Sequence, residues 1–126
     1  MNVPTGATPD DRADLELLVD RLTEPIALEI DHERQARYWA DRGNSAARGN
    51  SLNRADMTAT GLAHHEVLAT GLKEGIGLAL DLERRRGFVA DLRGAIRVVP
   101  MDGGSFITIH PCSGSVTGLA FLPAND

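Results

Sequence analysis

Apolar positions along this chain fall into short alternating runs. Ile76, Leu78 and Leu80 alternate with Gly77 and Ala79, the period of two expected of a strand, and the small partners suit an inner strand where neighbouring sheets converge. Phe88-Val89-Ala90, Ala95 to Val99 and Ser105 to Ile109 follow at short intervals, separated by breaks rich in Gly, Arg and Asp. Several strands at this spacing predict an all-β fold. The segment from Asp10 to Leu22 has a composition that would suit a helix, but Leu17-Leu18-Val19-Asp20 matches Val67-Leu68-Ala69-Thr70 later in the chain, so it is expected to be an outer strand.

That match belongs to an internal repeat. Leu22/Leu72, Glu24/Glu74, Ile26/Ile76, Leu28/Leu78, Asp31/Asp81, Glu33/Glu83, Arg34/Arg84, Ala40/Ala90 and Asp41/Asp91 are identical pairs, each 50 positions apart. Past the long loop from Arg42 to Asn50, Met57 pairs with Met101 at a separation of 44, and Gly118-Leu119-Ala120 follows Gly77-Leu78-Ala79 by 41. Without the inserted loop the unit is close to the ~40–45 residues of a four-stranded propeller blade.

The expected organisation is an N-terminal loop over residues 1–14 and a partial β-propeller over 15–126. Leu15 to Val19 would be an orphan outer strand. One blade spans 26–69, with strands at 26–31, 36–41, 51–57 and 66–69; a second spans 76–109, with strands at 76–81, 87–91, 95–101 and 105–109. Residues 116–121 would be the inner strand of a third. Radial closure takes 4–8 blades, at least ~160 residues, which exceeds the 126 present. Exposed blade faces and sheet edges recruit other strands, so self-association or marginal folding is expected.

With 42% apolar and 25% charged residues the composition is globular, and 4% aromatic residues leave the packing to Leu, Ile and Val. A net charge of -5 with no basic face excludes a nucleic-acid partner from the expectations. Arg84-Arg85-Arg86 reads as a solvated turn beside Glu83. The single cysteine, Cys112, rules out an intrachain disulfide and a multi-thiolate zinc site. No apolar run is long enough for a membrane span and no leader pattern opens the chain, so a cytoplasmic location without membrane partners is expected.

At Tyr38-Trp39-Ala40-Asp41-Arg42-Gly43, followed by Arg48-Gly49-Asn50-Ser51-Leu52-Asn53-Arg54-Ala55, the chain resembles the YWTD β-propeller repeats of the low-density-lipoprotein-receptor type. It also resembles their stand-alone relatives grouped with the senescence-marker-protein/gluconolactonase propellers. The likeness runs from about Leu15 to Phe121 and implies the C-terminal part of a ring that usually has six blades. The motif threonine is replaced by Ala40 and Ala90, and the Tyr-Trp pair becomes Phe88-Val89 in the second copy.

In a blade, the turn leading into the inner strand and the loop between strands two and three lie on the face around the central channel. Glu24 and Glu74 occupy the first; Arg42, Asn44, Arg48, Asn50 and Asn53 lie on or beside the second and form the expected ligand-binding face. Two carboxylates with asparagine oxygens nearby are hard ligands of the kind that calcium, magnesium or manganese accepts. Glu74-Gly75 further resembles the Glu-Gly pair of the gluconolactonase-like propellers, which implies a metal-polarised lactone carbonyl. Equally, both glutamates can be exposed turn residues that mirror a duplicated blade.

Asp31, Asp81, Asp41 and Asp91 end strands and are expected to accept backbone N–H bonds. His64 and His65 are expected at the surface before an outer strand; His32 and His110 have no partner at ligand spacing. Three functional readings stay open: a module binding a protein or small polar ligand, a metal-dependent lactonase-like hydrolase, and an inactive truncated product.

Overall fold

The computed structural model describes residues 15–19, 21–43, 49–111 and 114–124. The fold is all-β, with two antiparallel four-stranded sheets. The first sheet is made of β1 (Pro25–Asp31), β2 (Ala36–Asp41), β3 (Ser51–Thr58) and β4 (Gly61–Ala69). The second is made of β5 (Gly75–Asp81), β6 (Arg86–Asp91), β7 (Ala95–Pro100) and β8 (Ile107–Pro111). In each, spatial order follows chain order, the meander of a propeller blade.

The 50-residue repeat is visible in the hydrogen bonding. Pro25 pairs with Asp41 and Gly75 with Asp91; in both copies the register then slips by one residue before Leu28 meets Trp39 and Leu78 meets Val89. The turn residues Gln35 and Arg85 both adopt positive φ, 51° and 53°. Their carbonyls accept the N–H of Met57 at 2.7 Å and of Met101 at 3.0 Å. This bond is why the two methionines align despite the unequal loops before them.

The core lies between the sheets. Tyr38, Leu52, Leu68 and Leu72 of the first unit meet Leu78, Val89, Val99 and Met101 at the second. Close approach is achieved with small residues: a Cβ at Gly75 would lie 3.7 Å from Ala40 Cβ of the other sheet, and one at Gly87 would lie 3.5 Å from Leu52 Cδ2. Packing was expected to rest on Leu, Ile and Val; the cluster contains no isoleucine and includes Met101, Tyr38, Ala36 and Ala69 beside its leucines and valines.

Several local expectations change. Residues 15–19 carry no strand; they lie against β4, with the Leu18 carbonyl 4.0 Å from where a Gly61 Cβ would be. Residues 116–121 also carry no strand; none of the strands among the described residues forms a ladder with them. They pack along the second sheet: Val116 N–H donates to the Asp91 carbonyl at 3.2 Å, the Gly118 backbone lies 3.1 Å from a Gly77 Cβ position, and Phe121 stacks on Phe88 at 5.9 Å. The crowding expected at Gly77 is therefore real and comes from this segment.

β4 begins at Gly61, so His64 and His65 lie within it. They are exposed but engaged: His64 Nδ1 is 3.0 Å from Asp56 Oδ2, and His65 packs on the Trp39 ring at 5.0 Å with Nε2 2.9 Å from Asn53 Oδ1. The Arg84-Arg85-Arg86 turn is more than solvated. Arg85 reaches from the second sheet to buried Asp31 of the first at 3.6 Å and to Asp102 at 3.1 Å, while Arg86 Nε donates to Asp81 at 2.9 Å. No helix among the described residues is long and apolar enough to cross a membrane. Cys112 lies outside the described residues.

Candidate binding face

The loop end of the two sheets is built on two buried carboxylates. Asp41, 4% exposed, accepts from Thr23 N at 3.1 Å, Glu24 N at 2.8 Å, Gly43 N at 3.2 Å and the Thr23 hydroxyl. Burial pushes its carboxyl up, but the Thr23 hydroxyl and the three N–H groups outweigh that and hold it below the ordinary value. Asp91, fully buried, accepts from Arg93 N and Ala95 N, both at 3.0 Å, and from Arg97 Nε at 3.1 Å. The strand-ending aspartates are thus caps. Thr23 escapes sequence reasoning because its repeat counterpart is Lys73.

The other pair caps the opposite turns. Asp31 Oδ1 takes Glu33 N and Arg34 N at 3.1 and 3.0 Å, and Asp81 Oδ1 takes Arg84 N at 3.2 Å. Burial raises the Asp81 carboxyl, but the bond from Arg86, the Arg84 N–H and both guanidinium charges bring the balance below its ordinary value.

Upon this frame the two glutamates are pinned alike: Arg42 N donates to the Glu24 carbonyl at 3.0 Å and Leu92 N to the Glu74 carbonyl at 3.2 Å. Their side chains are not equivalent. Arg42 Nε donates to Glu24 Oε2 at 2.7 Å, and the Glu24 bond and charge, with a further contribution from Glu74, raise the guanidinium above its usual value. Glu24, Arg42 and Glu74 therefore share one exposed end.

Asn50 ties the sheets together there. At φ 51° it turns its carbonyl to Leu72 N and its side-chain oxygen to Glu74 N, each at 3.0 Å. Asparagine tolerates this left-handed geometry better than most residues. Asn53 is drawn inward: it is 2% exposed, donates to Ser51 Oγ at 2.9 Å and meets His65. Asn44 and Arg48 lie outside the described residues.

Among the described residues, no three His, Cys, Asp or Glu side chains gather as a metal cluster. Glu24 already holds a guanidinium, whose charge opposes a cation beside it. The donors described here do not fit a divalent ion as they stand.

No family model matches the chain. It is 36% identical, over 126 residues, to a Pyricularia oryzae protein named low-density lipoprotein receptor-related protein 1, the match covering 94% of this chain and 40% of that protein. It is 34% identical, over 118 residues, to a Cochliobolus heterostrophus protein named 3-hydroxyacyl-CoA dehydrogenase-like protein LAM1, covering 86% of this chain and 25% of that protein. The chain spans less than half the length of either relative. The first relative's name and the two meandering sheets agree with a low-density-lipoprotein-receptor type of likeness at a coarse level.

Proposed function

We propose that the chain is a two-blade part of a YWTD-type propeller and acts as a binding module, presenting the Glu24, Arg42, Asn50 and Glu74 end to a protein or small polar ligand. The observation that carries this reading is the pairing of exposed charge with a rigid base: Arg42 and Glu24 pair at the surface, while buried Asp41 fastens the backbones of Glu24 and Gly43 and the Glu24 carbonyl takes the Arg42 N–H. Exposed polar groups held on a rigid scaffold are the usual form of a recognition surface. A lactonase-like reading draws less support, because Glu24 is taken by Arg42.

The test uses the chain as bait and maps a captured protein by hydrogen exchange. Protection at 22–24, 42–43, 49–50 and 72–74, lost in Arg42→Ala, supports the reading; protection confined to the sheet flanks counts against it. Self-association belongs to the same proposal, since Ile107, Ile109 and Leu122 are 61%, 51% and 89% exposed. Light scattering that finds a monomer at every concentration removes that part.

A further inference from the structure

On the side of the first sheet facing away from the second, residues 15–19 stand off from β1 and β2 and leave a cleft of about 360 Å³. Leu18, Ile26, Leu28 and Leu62 make its apolar lining, with Arg37 and Trp39 also on its wall. This size is within the range that takes small ligands.

Two donors there have nothing to donate to. The indole N–H of Trp39, a residue only 4% exposed, lacks an acceptor, and so does the buried Nε of Arg37. Arg54, Arg85, Arg86 and Arg97 all reach carboxylates; Arg37 reaches none among the described residues. Glu16 lines the same cleft yet makes no ion pair with it among the described residues. Arg37 as a whole is half-buried, but a buried N–H without an acceptor is costly.

The repeat shows that the framework does not need these donors. The counterparts of Arg37 and Trp39, 50 positions on, are Gly87 and Val89, which carry no side-chain donor, and the second sheet forms with the same register. The donors are particular to this cleft. One guanidinium and one neutral N–H in an apolar wall suit a single negative charge; a dianion would find too few donors and a chain of net charge -5.

The geometry points to an apolar monocarboxylate as the ligand of this cleft, its carboxylate against Arg37 and Trp39 and its hydrocarbon body along Ile26, Leu28 and Leu62. Trp39 is the single tryptophan, so its fluorescence reports occupancy directly. Octanoate is titrated against octanol, a neutral molecule of similar body, on the wild-type chain, Arg37→Gln and Arg37→Lys. The expected result is saturable quenching or shift with octanoate and at least about tenfold weaker binding of octanol. Arg37→Gln should weaken octanoate by about ten- to a hundredfold, the range of a hydrogen bond to a charged group, and Arg37→Lys should keep the preference for the acid. Equal affinities for acid and alcohol, no saturation, or an Arg37→Gln chain that binds octanoate as wild type overturns the proposal. So does an emission shift that follows protein concentration without octanoate, which would put a second copy on this face.

Discussion

Replacing Asp91 by alanine removes the acceptor of three donors at once: the N–H groups of Arg93 and Ala95 and the Nε of Arg97. The carboxylate is fully buried and Ala95 is 8% exposed, so water cannot replace it. Hydrogen bonds to a charged group contribute about 1.5–3 kcal/mol each, and deleting one partner of a buried ion pair costs about 3–5 kcal/mol. Because the donors share one acceptor, about 4 kcal/mol is expected for Asp91→Ala. That is a large part of the ~5–15 kcal/mol that typically separates folded from unfolded domains. Asp91→Asn keeps an oxygen for the turn and loses the charge facing Arg97, and should cost roughly half as much. Urea unfolding followed by circular dichroism measures both. If Asp91→Ala costs less than about 1 kcal/mol, or if Asp91→Asn costs as much as Asp91→Ala, the capping argument is wrong.

Other outcomes follow from the same structure. Leu52 is fully buried between the sheets, so Leu52→Ala should destabilise by about 2–5 kcal/mol; loss of one sheet alone, seen by hydrogen exchange, would contradict a shared core. The carboxyls of Asp41 and Asp81 are held below their ordinary value in the folded chain. Their contribution to stability is therefore complete above the unfolded value of about 3.9 and is lost as pH falls through the lower folded values. Urea midpoints should hold between pH 7 and 5 and fall below about pH 4, with a shallower fall in Asp41→Asn; an identical fall in that variant would exclude Asp41 as a source. Calorimetry with calcium, magnesium or manganese should give no binding heat, because Arg42 occupies Glu24; a saturable heat abolished in Glu74→Gln would restore the metal reading.

Much of the frame was legible in the residues. Side-chain alternation and the 50-residue identity are local properties of the chain, and a strand's period of two shows without knowledge of its partner. The spacing of Asp31/Asp81 and Asp41/Asp91 likewise announces turns, because a short carboxylate reaches N–H groups only two to four residues away or across one strand end. Arg42, Glu24 and Glu74 could be assigned to one end from the blade topology the repeat implied.

Only the tertiary structure decided the pairings that cross the chain. Residues 15–19 and 116–121 have strand-like sequence but no strand, because a ladder needs a partner backbone in hydrogen-bonding register and alternation cannot supply one. Arg85 looked solvated by its neighbours and instead hydrogen-bonds Asp102 and lies 3.6 Å from buried Asp31 of the other sheet. Asn53 was expected at the surface by loop position, yet the sheet register turns it inward to Ser51 and His65. The unpaired donors of Arg37 and Trp39 belong to the same class, since a donor is unsatisfied only by what fails to approach it in three dimensions.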